Sequence, residues 1–338
     1  MPAAAPAVYH MSFVQAVVIG LIQGLSELFP VSSLGHTVLI PSWFGGTWAT
    51  LVRQESTAES PYLAFIVGLH LATAVVLLGF YAREWTRLIA GFLRSLARRR
   101  VETVEERLAW LIVIATVPVG LLGLAFEHDF RVLFAKPLLS ALFLIVNGGI
   151  LSAGECFHRH PRPSRITLAG HDDTPADRQS AAASAVSEGW PPHRRFRDER
   201  IVAIEADAER ELSQIGVRTS FVVGAAQALA LLSGISREGV AMVGGMFRGL
   251  DRENALRFSF LLSTPVIFAA GVLKIPDLLG PHGDGIRGQV IAGSVAAAAT
   301  SLFAVVFLTR YFRTRTLLPF AAYSVVFGFV SAIRFGAF

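Results

Sequence analysis

Cysteine is almost missing from this sequence: Cys156 is the only one in 338 residues. An internal disulfide and any multi-cysteine metal site are therefore excluded. Charge is scarce too, at 16% of residues against 53% hydrophobic, and the mean hydropathy is +0.54. A soluble domain needs more polar cover for its surface than that. Lysine barely occurs; Lys136 and Lys274 are the only two among 30 basic residues. There is no Walker A loop, no dinucleotide glycine fingerprint behind a strand and no HExxH pair, so nothing points to those nucleotide, cofactor or zinc chemistries. The net charge of +5 is spread over separate loops. It reads as topology signal and lipid-headgroup contact, with no nucleic-acid partner. Residues 1–10 hold no Lys or Arg and run straight into apolar sequence interrupted by polar motif residues, so no cleavable signal peptide is expected.

What the chain does have is long apolar runs. Six are long enough to cross a bilayer, which takes about 20 residues: roughly 62–82, 108–126, 136–154, 254–274, 288–309 and 316–335. Two further apolar regions, 11–49 and 216–250, are interrupted by ELFPVSSLGH at 27–36 and LLSGISREG at 231–239. Irregular backbone at membrane depth is tolerated only inside protein or beside a water-filled cavity, so both read as re-entrant helix–loop–helix hairpins. The expected fold is thus an all-α integral membrane protein, with six transmembrane helices and two re-entrant hairpins.

An internal repeat is also expected. Gly20, Gln23, Leu25, Ser32 and Gly35 align at one constant offset with Gly224, Gln227, Leu229, Ser236 and Gly239. Residues 1–154 then form one repeat, 216–338 the second, and an odd number of spans between them inverts the second copy. Arg83, Arg87, Arg94, Arg98, Arg99, Arg100 and Arg107 mark a cytoplasmic loop. Arg248, Arg252, Arg257, Arg310, Arg313 and Arg315 fall on that same side, and Arg53, Arg131 and Lys136 on the sparser opposite one. The first hairpin accordingly enters from outside and the second from the cytoplasm. The polar stretch 155–215, of mixed charge, reads as a largely disordered cytoplasmic loop, with a short surface helix over 198–213. Its His158, His160 and His171 read as solvated residues, not metal ligands.

The chemistry concentrates in the two interruptions. Gln23 and Glu27 are four apart and share a helix face; Pro30 ends that helix, and Ser32, Ser33 and His36 follow. An intramembrane Glu costs roughly 2.5–3.5 kcal/mol on insertion scales, so it normally faces a cavity and has a task. The plainer reading makes Glu27 a structural acid paired with an arginine. The second interruption supplies Ser236, Arg237 and Glu238. Arginine grips phosphate oxygens through a planar fork, and the glycines let backbone N–H groups approach an anion at a helix N-terminus. A simple Arg237 ion pair with Glu27 or Glu238 is the alternative. Together the loops offer the groups that phosphoryl transfer requires.

At these residues the sequence resembles the undecaprenyl-diphosphate phosphatase family, known for bacitracin resistance, whose motifs run close to EGLTEFLPxSSTGH and PGxSRSG. Gly24, Leu25, Glu27, Pro30, Ser32, Ser33, Gly35 and His36 match the first, and Gly234, Ser236, Arg237 and Gly239 the second. RFSFLLSTPVIFAAGVLK at 257–274 resembles the family's following span. The resemblance implies hydrolysis of undecaprenyl diphosphate to undecaprenyl phosphate and inorganic phosphate, at a site opening to the outer face of the bacterial cell membrane. It also implies a divalent cation, Mg²⁺ or Ca²⁺. Catalytic roles would fall to Glu27 (also the metal ligand), Ser33, His36 and Arg237, and substrate contacts to Gln23, Ser32, Ser236 and Glu238. Serine and histidine both stand as the attacking group, and a homo-oligomer is compatible with the sequence. The chain departs from the motifs at Gln23 for glutamate, Leu34 for threonine, Ser233 for proline and Glu238 for serine. Those departures leave room for a rival: a polyprenyl-phosphate transporter or flippase on the same scaffold, without hydrolysis.

Overall fold

The computed structural model describes residues 11–55, 61–134, 136–158, 215–273, 275–280 and 285–336. Within them every regular element is helical. In chain order they are α1 (Phe13–Leu28), α2 (Ser33–Phe44), α3 (Gly46–Glu55), α4 (Pro61–Phe80), α5 (Ala82–Arg98), α6 (Val104–Phe134) and α7 (Pro137–His158). After the undescribed stretch come α8 (Val217–Ala226), a 3-10 turn (Gln227–Leu231), α9 (Arg237–Phe247), α10 (Arg252–Leu273), α11 (Ile275–Leu279), α12 (Arg287–Tyr311) and α13 (Leu318–Gly336).

Each of the six apolar runs expected to span is a helix here: α4, α6, α7, α10, α12 and α13. Five are long and apolar enough to cross a membrane by themselves, and α4 joins them if the bent pair α4–α5 counts as one span. The two interrupted regions fold as helices broken near the middle. α1 opens with a capping box, in which Gln15 N donates to the Ser12 hydroxyl (3.2 Å) and Ser12 N donates to the Gln15 side chain (2.9 Å). It stops at Phe29, which is extended (φ −70°, ψ 142°) because a residue preceding proline is disfavoured in helical conformation. The second break, between the 3-10 turn and α9, has no proline and rests on Gly234 at φ +115°.

One segment departs from the sequence expectation. The arginine-rich stretch after α4, read above as a loop, is helix α5, turned 86° from α4 at Tyr81. Its residues carry a helical period: Leu88, Gly91 and Ser95 are buried while Ile89, Leu93 and Leu96 are exposed. Arg83, Arg94 and Arg98 are exposed as well. An amphipathic pattern with basic residues on its polar side is the kind that suits a membrane surface. The expected loop at 155–215 also begins later than expected, since α7 runs to His158 with Cys156 exposed on it. The helix expected over 198–213 lies outside the described residues.

Close helix contact is made by small residues, as is usual without a hydrophobic drive between helices in lipid. α1 packs along α12 so tightly that a methyl group on Gly24 would sit 2.1 Å from the Ala297 carbonyl oxygen. α8 meets α6 in the same way, with a methyl on Gly224 falling 2.0 Å from the Ala115 oxygen. α7 and α13 form a third extensive pair. At one end of the bundle buried ion pairs tie the helices: Arg257 Nε donates to both Glu84 oxygens at 3.0 Å, and the Arg252 guanidinium clasps Glu155. The main apolar core, including Leu77, Leu108, Met242, Phe258, Leu262 and Leu308, lies where α4, α6, α9, α10 and α12 converge.

Candidate active site between two broken helices

The last turn of α1 brings Gln23 and Glu27 onto one buried face. Gln23 Nε2 donates to Glu27 Oε2 at 2.9 Å. The Ser33 hydroxyl, first residue of α2, donates to that same oxygen in a very short contact. His70 Nε2, from the middle of α4, stands 3.2 Å from it. Three groups thus converge on Oε2, while Oε1 takes no hydrogen bond from the described residues. Gln23 Oε1 is buried and has no hydrogen-bond partner among those residues either.

The second break faces this cluster. Ser236 caps α9 by accepting from Gly239 N at 3.1 Å, so Arg237 and Glu238 enter the first turn. Arg237 lies within electrostatic reach of Glu27, His70 and Glu238. Its Nε and Nη1 are buried without a hydrogen-bond partner among the described residues. A buried guanidinium that leaves two donors unmade is costly unless a ligand supplies the acceptors. Glu238 is buried too, and its Oε1 has no partner.

Backbone contacts hold the two breaks together. Ser32 sits at φ +70°, in the left-handed region, a conformation costing a non-glycine residue on the order of 1–3 kcal/mol. There its hydroxyl accepts from Gly35 N (3.2 Å) and, across the site, from Gly234 N (3.1 Å). A methyl on Gly35 would lie 3.0 Å from Gly234 Cα, and one on Gly234 would lie 2.4 Å from the Ser140 oxygen. Asn147, on α7, is the bridge: its Nδ2 donates to Pro30 O and its Oδ1 accepts from Ser236 N, both at 2.9 Å.

Of the residues singled out from sequence, Gln23, Glu27 and Ser33 are joined by hydrogen bonds, with Arg237 and Glu238 in reach. Ser32 and Ser236, expected to contact substrate, use their side-chain oxygens on backbone N–H groups. His36 is turned toward α13, with Nδ1 2.6 Å from Ser32 O and Nε2 2.7 Å from the Tyr323 hydroxyl, and its ring stacks on Tyr323 and Phe327. Three site residues escaped the sequence reading: His70, Asn147 and Tyr323. Each is a polar residue inside an apolar run, and that isolation is itself a usable signal in a membrane helix.

A divalent cation can be weighed against these donors. No group of three His, Cys, Asp or Glu side chains among the described residues could hold a metal. The free oxygens are Glu27 Oε1 and Gln23 Oε1, which are hard donors. Such a pair suits a hard divalent cation whose shell is completed by water and substrate phosphate oxygens.

An apolar helical bundle, with a buried acid and a guanidinium fork unpaired among the described residues where two broken helices meet, defines a polytopic membrane protein with a polar, charged site inside it. The chain belongs to the family described as bacitracin resistance protein BacA, which matches residues 16–330. It is 50% identical over 339 residues to a Frankia alni protein named undecaprenyl-diphosphatase 2, covering 97% of this chain and 99% of that relative. Proteins named undecaprenyl-diphosphatase from Mycolicibacterium paratuberculosis and Mycobacterium avium are each 50% identical over 324 residues, covering 96% of this chain and 97% of theirs.

Proposed function

We propose that this protein hydrolyses undecaprenyl diphosphate to undecaprenyl phosphate and inorganic phosphate, returning the lipid carrier of cell-wall synthesis to use. The observation that carries the reading is Arg237: two buried donors of a planar fork without a partner among the described residues, within electrostatic reach of the carboxylate that already accepts from the Ser33 hydroxyl. The fork fits two oxygens of the terminal phosphoryl group. Ser33 is the better nucleophile of the two weighed, because Glu27 stands ready to take its proton, whereas both nitrogens of His36 are engaged. Ser33 Oγ attacks the terminal phosphorus, the anhydride P–O bond breaks, and undecaprenyl phosphate leaves. Water then cleaves the phosphoserine, giving inorganic phosphate and restoring the hydroxyl. Glu27 and Gln23 oxygens would hold a divalent cation, which when bound neutralises charge on the diphosphate.

The reading extends to topology. The arms of the broken helices have 16, 12, 10 and 11 residues, short of the about 20 needed to cross, which supports two re-entrant hairpins. α1 and α2 begin at Phe13 and Ser33, α8 and α9 at Val217 and Arg237, so the same interval separates both pairs of starts. That α1 packs on α12 while α8 packs on α6 supports an inverted repeat with exchanged partners. The Arg257–Glu84 pair groups the start of α10 with basic α5 at one end, which we take as cytoplasmic, in a bacterial cell membrane with the site open to the outer face. Purified protein given undecaprenyl diphosphate with Mg²⁺ or Ca²⁺ should release phosphate, and chelation should stop it. No release under any divalent cation would overturn the hydrolase reading and favour transport.

A further inference from the structure

We propose that His70 is a ligand of the divalent cation at Glu27, and that its nitrogen makes this site prefer Mn²⁺, Co²⁺ or Zn²⁺ over Mg²⁺ and Ca²⁺. The inference rests on the proposed function only in placing a cation beside Glu27.

His70 lies in the apolar stretch FIVGLHLATAVV of α4. Its Nδ1 is 2.9 Å from the Ile66 carbonyl oxygen one turn earlier. A carbonyl can only accept, so Nδ1 carries a hydrogen, and whenever the ring is neutral its lone pair lies on Nε2. That nitrogen faces Glu27 Oε2 at 3.2 Å. Two electron-rich atoms so placed need a positive species between them, either a proton or a metal ion.

Two features favour the metal. Donors each about 2.1 Å from one cation, at angles of roughly 90–110°, stand about 3.0–3.4 Å apart, and the observed separation falls inside that window. A proton between His70 and Glu27 would also do nothing for Gln23 Oε1, a buried acceptor without a partner on the amide already bonded to Glu27. A cation would satisfy both. The carbonyl behind Nδ1 supplies the usual second contact that fixes the tautomer and direction of a metal-binding histidine. Mg²⁺ and Ca²⁺ take oxygen ligands, whereas imidazole suits later first-row metals. A site with one nitrogen among its oxygens therefore leans toward the latter.

The test is Mn²⁺ binding to the purified full-length protein, read by electron paramagnetic resonance with electron spin-echo modulation. The wild type should bind Mn²⁺ with modulation from an imidazole ¹⁴N. In His70→Gln that modulation should vanish and Mn²⁺ affinity should fall at least about tenfold, while Ca²⁺ affinity changes less than twofold. Mn²⁺ bound without nitrogen modulation in the wild type would overturn the assignment, and needs no variant to fold. Absence of Mn²⁺ binding would overturn it as well, as would modulation that persists in His70→Gln. Phosphate release with Mg²⁺, Ca²⁺ and Mn²⁺, measured alongside, separates the two readings: nitrogen-coupled Mn²⁺ in a protein that releases no phosphate with any divalent cation upholds the ligand and overturns the hydrolase.

Discussion

The two broken helices carry glutamine at the same step, yet only one glutamine has anything to bind. Gln23 is followed one turn later by Glu27 and bonds to it. Gln227 is followed by Leu231, and both of its amide atoms are buried without partners among the described residues. The first helix stays α-helical to its break, whereas the second tightens into a 3-10 turn from Gln227 onward. What the two halves share is what a break needs. Ser32 and Ser236 each cap the following helix by accepting from the N–H three residues on, at Gly35 and Gly239. What they do not share is the chemistry, because the acid and its serine sit on one side and the arginine on the other. Under the proposed function, such a division makes the crossing of the loops, rather than either loop alone, the unit that would act.

The sharpest way to break this comparison is to remove one contribution from each half. Glu27→Gln removes the carboxylate that accepts from Ser33 and, as proposed, would receive its proton. Arg237→Lys keeps the charge but loses the fork. Each should lower phosphate release from undecaprenyl diphosphate by at least about a hundredfold, in line with loss of a preorganised transition-state contact. Near-normal turnover in either variant would mean that the chemistry is not divided in this way. The bridge comes next. Asn147→Ala leaves Ser236 N and Pro30 O buried without partners, at about 1–3 kcal/mol each. Thermal unfolding in detergent should fall by several degrees and turnover should drop with it; a variant with unchanged midpoint and rate would show that the loops hold their crossing without α7. The smallest effects concern the glutamines. Gln23→Met should slow phosphate release about tenfold. Gln227→Met should leave it within about twofold and stabilise the protein by up to about 1 kcal/mol, because an unsatisfied amide is replaced by an apolar chain of similar size. Equal losses from both would mean that the second glutamine has a task after all.

How far these features can be read from the chain depends on the length of the pattern that encodes them. Six apolar runs announce six helices, since 20 residues of one character outweigh any local exception. α5 was obscured because its arginines draw the eye to charge, while the interleaved Leu88, Phe92 and Ser95 that make it amphipathic are spaced three to four apart. Gln23, Glu27 and Ser33, like Arg237 and Glu238, stand in short dense motifs and are legible at once. His70 and Asn147 stand alone among apolar neighbours, and nothing nearby in sequence indicates what they face. His36 is legible as a residue, but its partner Tyr323 lies 287 positions away, a distance that only packing can close.

The hydrogen bond from Gly234 to Ser32 joins residues 202 positions apart, and that separation is also a delay. At ribosomal rates of about 5–20 residues per second, the second partner is made roughly 10–40 s after the first. Through that interval Ser32 has no cross-chain contact to offset its left-handed backbone, and Glu27 has no arginine. His70, by contrast, emerges early enough to meet the acid while the first four helices are still the whole protein. The order of synthesis thus gives the histidine a period beside Glu27, with Gln23 and Ser33, before Arg237 has been made.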